Sequence, residues 1–300
     1  MQEEFEYNGK AMGTSFSVAI VGSDKQKADE VATHIINSIA SFEARFSRFK
    51  EESELTLINE KKHMVVSSDF LSVLQSAQIL FQKTKGIFNP LVQVSRLGYT
   101  KNFDDLKNTI PENEETDTEY DIDFSTTGID AQTHTVTLGV NQKLDFGGFL
   151  KGYLATKLCS EIMDSSDSFT GAIVNIGGDL HTQGMDAEGQ PFVFEVFNPI
   201  TNTDIPIAVT NKSLVTSGTY KRTWTYHGLP VHHIVDTTGA HNPDTEIVSA
   251  TILHRDGAFA EAYAKVFIAT EPRVAQQIIN DDTVAFLVIK KNGEIISNFI

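Results

Sequence analysis

An α+β fold is predicted for this chain, and three observations predict it. Helical and strand-like segments are mixed along the sequence without the regular βαβ alternation of a doubly wound sheet. The helical segments carry apolar residues at three- and four-residue spacing, whereas the strand-like ones are short and end in turn-forming residues. No internal repeat of solenoid period is present, and 300 residues with 40% hydrophobic content are ample for a buried core.

The elements follow in order. "MGTSFSVAIV" from Met12 alternates and then turns apolar like a strand, with Ser23 and Asp24 ending it. The next segment sets Ala28, Val31, Ala32, Ile35, Ile36, Ile39, Phe42 and Phe46 on one helical face. A second helix opens near Ser68 or Asp69 and closes at Gly86. The acidic, polar stretch 104–123 reads as an exposed loop, "GIDAQTHTVTLG" from Gly128 as a hairpin, and "GGFLKGYLATKLCSEIM" from Gly147 as a glycine-opened helix. Strands follow in "GAIVNIG", "PFVFEVFN" and "IPIAVTN", then the helix "AEAYAKVFIA" from Ala260, the helix "EPRVAQQIIN" and the strand "TVAFLVIK".

Composition narrows the function. A formal charge of −16 and a pI near 4.9 argue against a nucleic-acid-binding role, which needs basic surface, and an anionic ligand would need local donors. With Cys159 as the one cysteine, intramolecular disulfides and cysteine-rich metal sites are excluded, which fits a reducing compartment. The first residues are acidic where a signal peptide would be basic, and no run reaches membrane-spanning length. The expected setting is cytoplasmic, unless an exported protein has been trimmed.

Four short segments are richer than mere connections require. In "LDFGGFLKG", Gly147 and Gly148 stand between a strand-like run and a helix with Lys151 in its first turn; bare N–H groups and a lysine suit a phosphate, and equally a tight turn with a solvated lysine. In "VNIGGDL", Gly177 and Gly178 follow an apolar strand and precede Asp179; the pair suits close backbone approach to a flat or charged ligand, and equally a bulge or a hairpin turn, with the bulge favoured when it is taken alone. "TSGTYKR" brings hydroxyls, a glycine and a cation together after a strand. "HHIVDTTG" sets His232 and His233 ahead of Asp236, and in an alternating strand only one of the two histidines points into a shared site. His233 with Asp236 suits proton transfer. Fingerprints of Rossmann, P-loop, nucleophile-elbow and H-E-x-x-H zinc sites are absent.

In number, order and spacing these segments resemble the ApbE family of flavin transferases. The resemblance runs through "MGTSFSV", "FSRFKEESELTLIN", "GIFNP", "LDFGGFLKGY", "VNIGGDLHTQG", "TSGTYKR", "HHIVDTTG" and "AEAYAKVFIA". It implies one domain spanning 1–300, built as two intimate lobes around a central FAD cleft. It also implies a reaction in which FMN moves from FAD to a Ser or Thr of an acceptor flavoprotein and AMP leaves. The residues implied in FAD binding are Met12, Gly13, Thr14, Gly147, Gly148, Lys151, Asn175, Gly177, Gly178, Asp179, Ser217, Gly218, Tyr220 and Arg222. His233 is the implied base or phosphate-orienting group, with Asp236 beside it.

The family also implies magnesium on the diphosphate, held by an Asp and a Thr of the last-named helix and by a backbone carbonyl. Here those positions are Glu261, Lys265 and the carbonyl of Leu150. Glu keeps oxygen ligands, but an ammonium cannot ligate and repels a dication. Further departures are Asn89, Thr156 in place of a frequent acidic residue, and Thr237 in place of a proline. The expectation is a transferase in which Lys265, kept protonated by Glu261, stands in for part of the metal's charge. The alternatives are a catalytically silent FAD carrier or sensor and a FAD pyrophosphatase. As a surface pair, Glu261 and Lys265 are also a favourable i,i+4 couple.

Overall fold

The computed structural model describes residues 2–101 and 120–299, so most of the loop expected over 104–123 lies outside the described residues. Its frame is an antiparallel eight-stranded sheet in the order β1 (Glu3–Ala11), β2 (Thr14–Gly22), β6 (Phe169–Ile176), β7 (Asp179–Gly184), β10 (Ser213–Gly218), β13 (Ile247–His254), β14 (Ala285–Lys290), β15 (Ile295–Ser297). With helices packed on such a sheet the architecture is α+β, as expected. Three helices cover one face in sequence: α1 (Lys25–Phe46) lies along β1 and β2, α4 (Leu150–Asp164) along β6 and β7, and α5 (Gly257–Ala269) along β10 and β13. Their apolar stripes make the core, and of the residues assigned to the α1 face all but the partly exposed Ile36 are buried.

The strand period sorts the two faces of the sheet. Leu180, Leu214 and Leu253 pair across β7, β10 and β13 and form a core with Val196, Ile207 and Val209 of the hairpin β8 (Phe192–Asn198) and β9 (Thr203–Val209). Their neighbours one position along, His181, Ser213 and His254, form the next row, which alternation turns toward α4 and α5. A three-stranded sheet of β3 (His63–Val65), β5 (Thr135–Thr137) and β4 (Gly128–Asp130) contains the expected hairpin. No helix among the described residues is long and apolar enough to cross a membrane.

Several local expectations change. Met12 does not begin a strand; with Gly13 it forms the two-residue turn joining β1 to β2, both at positive φ (55° and 67°), as a primed hairpin turn requires. The Gly177–Gly178 pair is likewise a hairpin turn, with Ile176 opposite Asp179, and not a bulge. The helix α3 (Ser68–Lys83) is capped by Ser67, whose hydroxyl accepts from the Phe70 N–H, and not by Ser68 or Asp69. "LDF" is no strand: Leu144 is held on both backbone groups by the Asn59 amide, which acts as a strand partner would. Asn59 sits in α2 (Glu54–Lys61), a helix the sequence reading passed over, as it did β1 and the buried β13.

Candidate active site

Where the tips of these elements meet, a cavity opens. Its cationic wall has Lys151, Lys265 and Arg222 with His233 beside them, its aromatic wall has Phe49 and Tyr99, and Phe88, Met12, Gly13, Gly147, Gly148 and Leu150 also line it. The lysines come from first principles of helix placement. α4 starts at Leu150 directly after the glycine turn, so Lys151 leaves its first turn into the cavity; Lys265 lies two turns into α5 and reaches the same space. Gly148 lies against both Lys265 and Phe88, and a Cβ there would crowd the Phe88 ring at 3.0 Å.

Behind the wall lies a buried charge network. Lys151 Nζ donates to Asp179 Oδ2 and, at 2.9 Å, to Glu261 Oε1. Glu261 Oε2 accepts the Gly152 N–H at 3.0 Å, and Lys265 Nζ lies 3.5 Å from Glu261 Oε1 and donates to the Glu261 carbonyl at 3.2 Å. Burial raises the Glu261 carboxyl, but the Lys151 and Lys265 ammonium groups and the Gly152 N–H outweigh it and hold its pKa below the usual range. For Lys151 burial is outweighed by Asp179 and Glu261, and its pKa rises. Burial wins at Asp179, helped by Glu261, and its pKa rises as well. Lys265 differs from the expectation that pairing governs it: burial lowers its pKa and Glu261 offsets only part of that.

His233 follows β12 (Leu229–His232), whose hairpin with β11 (Thr223–Tyr226) begins just after Arg222. The strand ends at His232, so alternation does not decide the two rings. His232 turns to the Ile234 N–H and Asn242, while His233 lines the cavity. The buried His233 Nδ1 has no hydrogen-bond partner among the described residues. Burial first, then Arg222, Lys265 and Lys151, hold its imidazole well below the ordinary histidine pKa, so the ring is neutral near pH 7.

The other expected residues lie at different removes. Thr14 packs against Gly177, where a Cβ would fall 2.8 Å from its hydroxyl, and Asn175 Oδ1 accepts the Gly178 N–H at 2.9 Å; these contacts hold the two hairpin tips beside Asp179. Ser217 and Gly218 pair with Ala250 and Ser249 in the sheet, and the Tyr220 ring covers Gly218. None of Thr14, Asn175, Gly177, Gly178, Asp179, Ser217, Gly218 and Tyr220 lines the cavity, nor does Asp236, whose carboxylate accepts from the Thr238 N–H and hydroxyl within its own turn. Asn89 does line it, bonded through its side chain to Leu91 N and Ile122 O.

Sequence reasoning missed the aromatic wall's anchor. The Arg48 guanidinium lies against the rings of Phe49 (4.8 Å) and Tyr99 (4.7 Å), pairs with Asp145 at 2.5 Å and donates to the Tyr99 carbonyl. Tyr99 in turn packs on Trp224, whose indole N–H donates to the Leu97 carbonyl at 2.6 Å. The run "FSRF" and the aspartate of "LDFGG" were both visible, but only the fold brings them together.

A model of the ApbE family matches residues 12–288. The chain belongs to the ApbE family. Relatives include the FAD:protein FMN transferase of Salmonella typhimurium, 25% identical over 95% of this chain and 84% of the relative. The protein of the same name from Escherichia coli K12 is 22% identical over the same shares. Among solved structures, the ApbE protein of Thermotoga maritima superposes with a TM-score of 0.82 at 24% identity, covering 99% of this chain and 97% of that one. The flavin transferase ApbE of Vibrio cholerae does so at 0.78 and 20%, covering the same shares. These superpositions establish the fold.

The magnesium implied for ApbE proteins can be tested against the donor set of this ApbE chain. Both Glu261 oxygens are taken, one by Lys151 and Lys265, the other by the Gly152 N–H, and Lys265 is itself a cation. Octahedral oxygen coordination of a dication does not fit two ammonium groups converging on its carboxylate ligand. Among the described residues no cluster of three His, Cys, Asp or Glu side chains forms an alternative.

Proposed function

We propose that the protein is a FAD:protein FMN transferase, moving FMN from FAD to a Ser or Thr hydroxyl of an acceptor flavoprotein with release of AMP. The observation that carries this is one cavity holding both a cationic wall of Lys151, Lys265 and Arg222 beside a neutral histidine and an aromatic wall braced by Arg48. A dinucleotide needs both: cations for its diphosphate, flat apolar surface for its rings. Family membership and the names of the relatives support the same reading.

In this mechanism the acceptor oxygen bonds to the FMN-side phosphorus as the bond to the AMP oxygen breaks, and AMP leaves with that oxygen. Lys151, Lys265 and Arg222 neutralise the charge on the phosphoryl oxygens, which is where most of the acceleration of phosphoryl transfer arises. The neutral imidazole of His233, which lines the cavity, accepts the hydroxyl proton. Its low basicity comes partly from the neighbouring cations, and the arriving diphosphate offsets them. Asp236 acts one step away by fixing the turn after His233. Met12, Gly13, Gly147 and Gly148 present backbone to the ligand, while Thr14, Asn175, Gly177, Gly178, Asp179, Ser217, Gly218 and Tyr220 support the tips around it. Lys265 supplies charge where ApbE proteins are expected to hold magnesium, and one positive charge in place of two makes a slower enzyme.

The test is incubation with FAD and an acceptor flavoprotein, with and without EDTA. Flavinylated acceptor and AMP in both arms are expected. Activity only with added magnesium removes the charge role of Lys265. AMP without flavinylated acceptor assigns a FAD pyrophosphatase. Tight FAD binding with neither product assigns a flavin carrier or sensor, a second reading favoured by the blocked Glu261 carboxylate.

A further inference from the structure

The helices α4 and α5 cross at two glycines. A Cβ on Gly152 would fall 2.1 Å from the Gly257 carbonyl oxygen, and one on Gly257 would fall 2.3 Å from the Gly152 carbonyl oxygen. Only glycine allows two backbones this close. Four residues beyond each glycine stands an oxygen acceptor, Thr156 on α4 and Glu261 on α5. Each bonds the other helix: the Gly257 N–H donates to Thr156 Oγ1 at 2.9 Å, and the Gly152 N–H donates to Glu261 Oε2 at 3.0 Å. The segments "KGYLAT" (151–156) and "DGAFAE" (256–261) share this pattern of glycine, apolar residue, alanine and acceptor.

The exchange answers a physical need. A helix leaves its first four N–H groups without intrahelical partners, and α4 has no side-chain cap of its own at Phe149. Glu261 supplies that missing acceptor from the neighbouring helix. In return, Thr156 holds the first residue of α5, beside the Asp256 cap on Ala258 and Phe259. The Thr156 hydroxyl is itself set from below: it lies 3.1 Å from the Gly152 carbonyl and 3.3 Å from His181 Nδ1, which bonds the fully buried Ser213 hydroxyl at 2.7 Å. From Gly257, α5 runs about 12 Å to Lys265, eight residues on at 1.5 Å each, with no break in the helix.

We propose that Thr156 is a positioning residue for the cationic wall: its bond to the Gly257 N–H sets the height of α5 against α4 and thereby places the Lys265 ammonium beside Lys151. This rests on the flavin reading of the cavity. Its test is a double-mutant cycle on FAD affinity, read from quenching of flavin fluorescence, which needs no acceptor protein and no turnover. T156V keeps the shape of the side chain and removes the acceptor; K265M removes the group it is proposed to place. T156V is expected to weaken FAD binding about fivefold or more in the wild-type background and less than about twofold in K265M, with T156S within about twofold of wild type.

A merely structural hydroxyl would lower stability without such coupling. Equal losses in both backgrounds, or no loss with T156V, overturn the proposal while leaving the flavin reading intact. If T156V does not fold, T156A takes its place in the cycle. Failure of both to fold, with T156S folded, confines Thr156 to stability and also overturns it. A wild-type protein that does not bind FAD removes the flavin reading and this inference with it.

Discussion

The cationic and aromatic walls of the cavity are built by opposite means. The two lysines of the cationic wall, Lys151 and Lys265, project from a helix start and a helix interior and are held from behind by the buried Glu261 and Asp179, while Arg222 and His233 flank the β11–β12 hairpin in irregular chain. Arg48, Phe49 and Tyr99 come from irregular chain after α1 and after a short 3₁₀ turn, and they hold one another by stacking and a single ion pair. The difference teaches where each kind of recognition can be placed. Charge that must stay put against an anion gains from the low dielectric behind the two lysines, since water would screen it. A surface for flat rings gains little from such fixation, and side chains on loops can serve.

That contrast predicts unequal responses to mutation. The largest effect should follow Lys151→Met, which removes the ammonium paired with the buried Asp179 carboxylate and leaves Glu261 only Lys265 and the Gly152 N–H. Urea unfolding should show a loss of about 3 to 5 kcal/mol. A loss of less than about 1 kcal/mol would mean that the network is solvated and that the two walls differ less than described.

Next in size is His233→Gln, expected to slow AMP release from FAD about a hundredfold or more in single-turnover assays, with FAD affinity changed by less than about threefold. Unchanged turnover would assign the whole rate to the cations.

Acid should weaken the region under the cationic wall before the aromatic one. Burial lowers the pKa of His181 to about 4, below its unfolded value near 6.5. A group depressed in this way contributes all its stability above the unfolded value and loses it as pH falls from about 6.5 toward 4. The expected loss is on the order of 2 kcal/mol across that window, read as a falling urea midpoint. His181→Gln should flatten that dependence in part, with His232, lowered to about 4 by burial as well, and His233, lowered by burial and the neighbouring cations, accounting for what remains.

The smallest effect belongs to Arg48→Lys. The charge beside Asp145 survives, but the planar group between Phe49 and Tyr99 is lost, at a cost of about 1 kcal/mol. It should appear as a several-fold rise in KM for FAD with kcat unchanged. A change in kcat instead would join the aromatic wall to the chemistry.

Legibility in the sequence follows the same division. The α1 stripe, the glycine-opened α4 and the apolar strands β6 and β14 could be read because their periodicity is local and their burial follows from it. β1 was hidden because, at the sheet edge, its residues Glu3, Glu4 and Glu6 look unlike a strand, and charges are how an exposed edge avoids pairing with another chain. The turn at Gly177 and Gly178 read as a bulge because two glycines announce positive φ without saying which strand comes back. Lys265 could be singled out, but its four-residue spacing from Glu261 fits an exposed pair as well as a cavity wall.

By itself the sequence determined the mixture of helices and strands, the absence of intramolecular disulfides, the acidic overall charge, and the short segments in which glycines, histidines and lysines would matter. These follow from chain-local rules: side-chain period, φ freedom and composition. Only the tertiary structure decided that Glu261 caps a helix more than 100 residues away, that Arg48 meets Asp145, and that Asp236 is spent on its own turn. Those choices depend on which buried donor finds which acceptor once the backbone is closed, and an unpaired polar group in the interior costs enough to make that matching decisive.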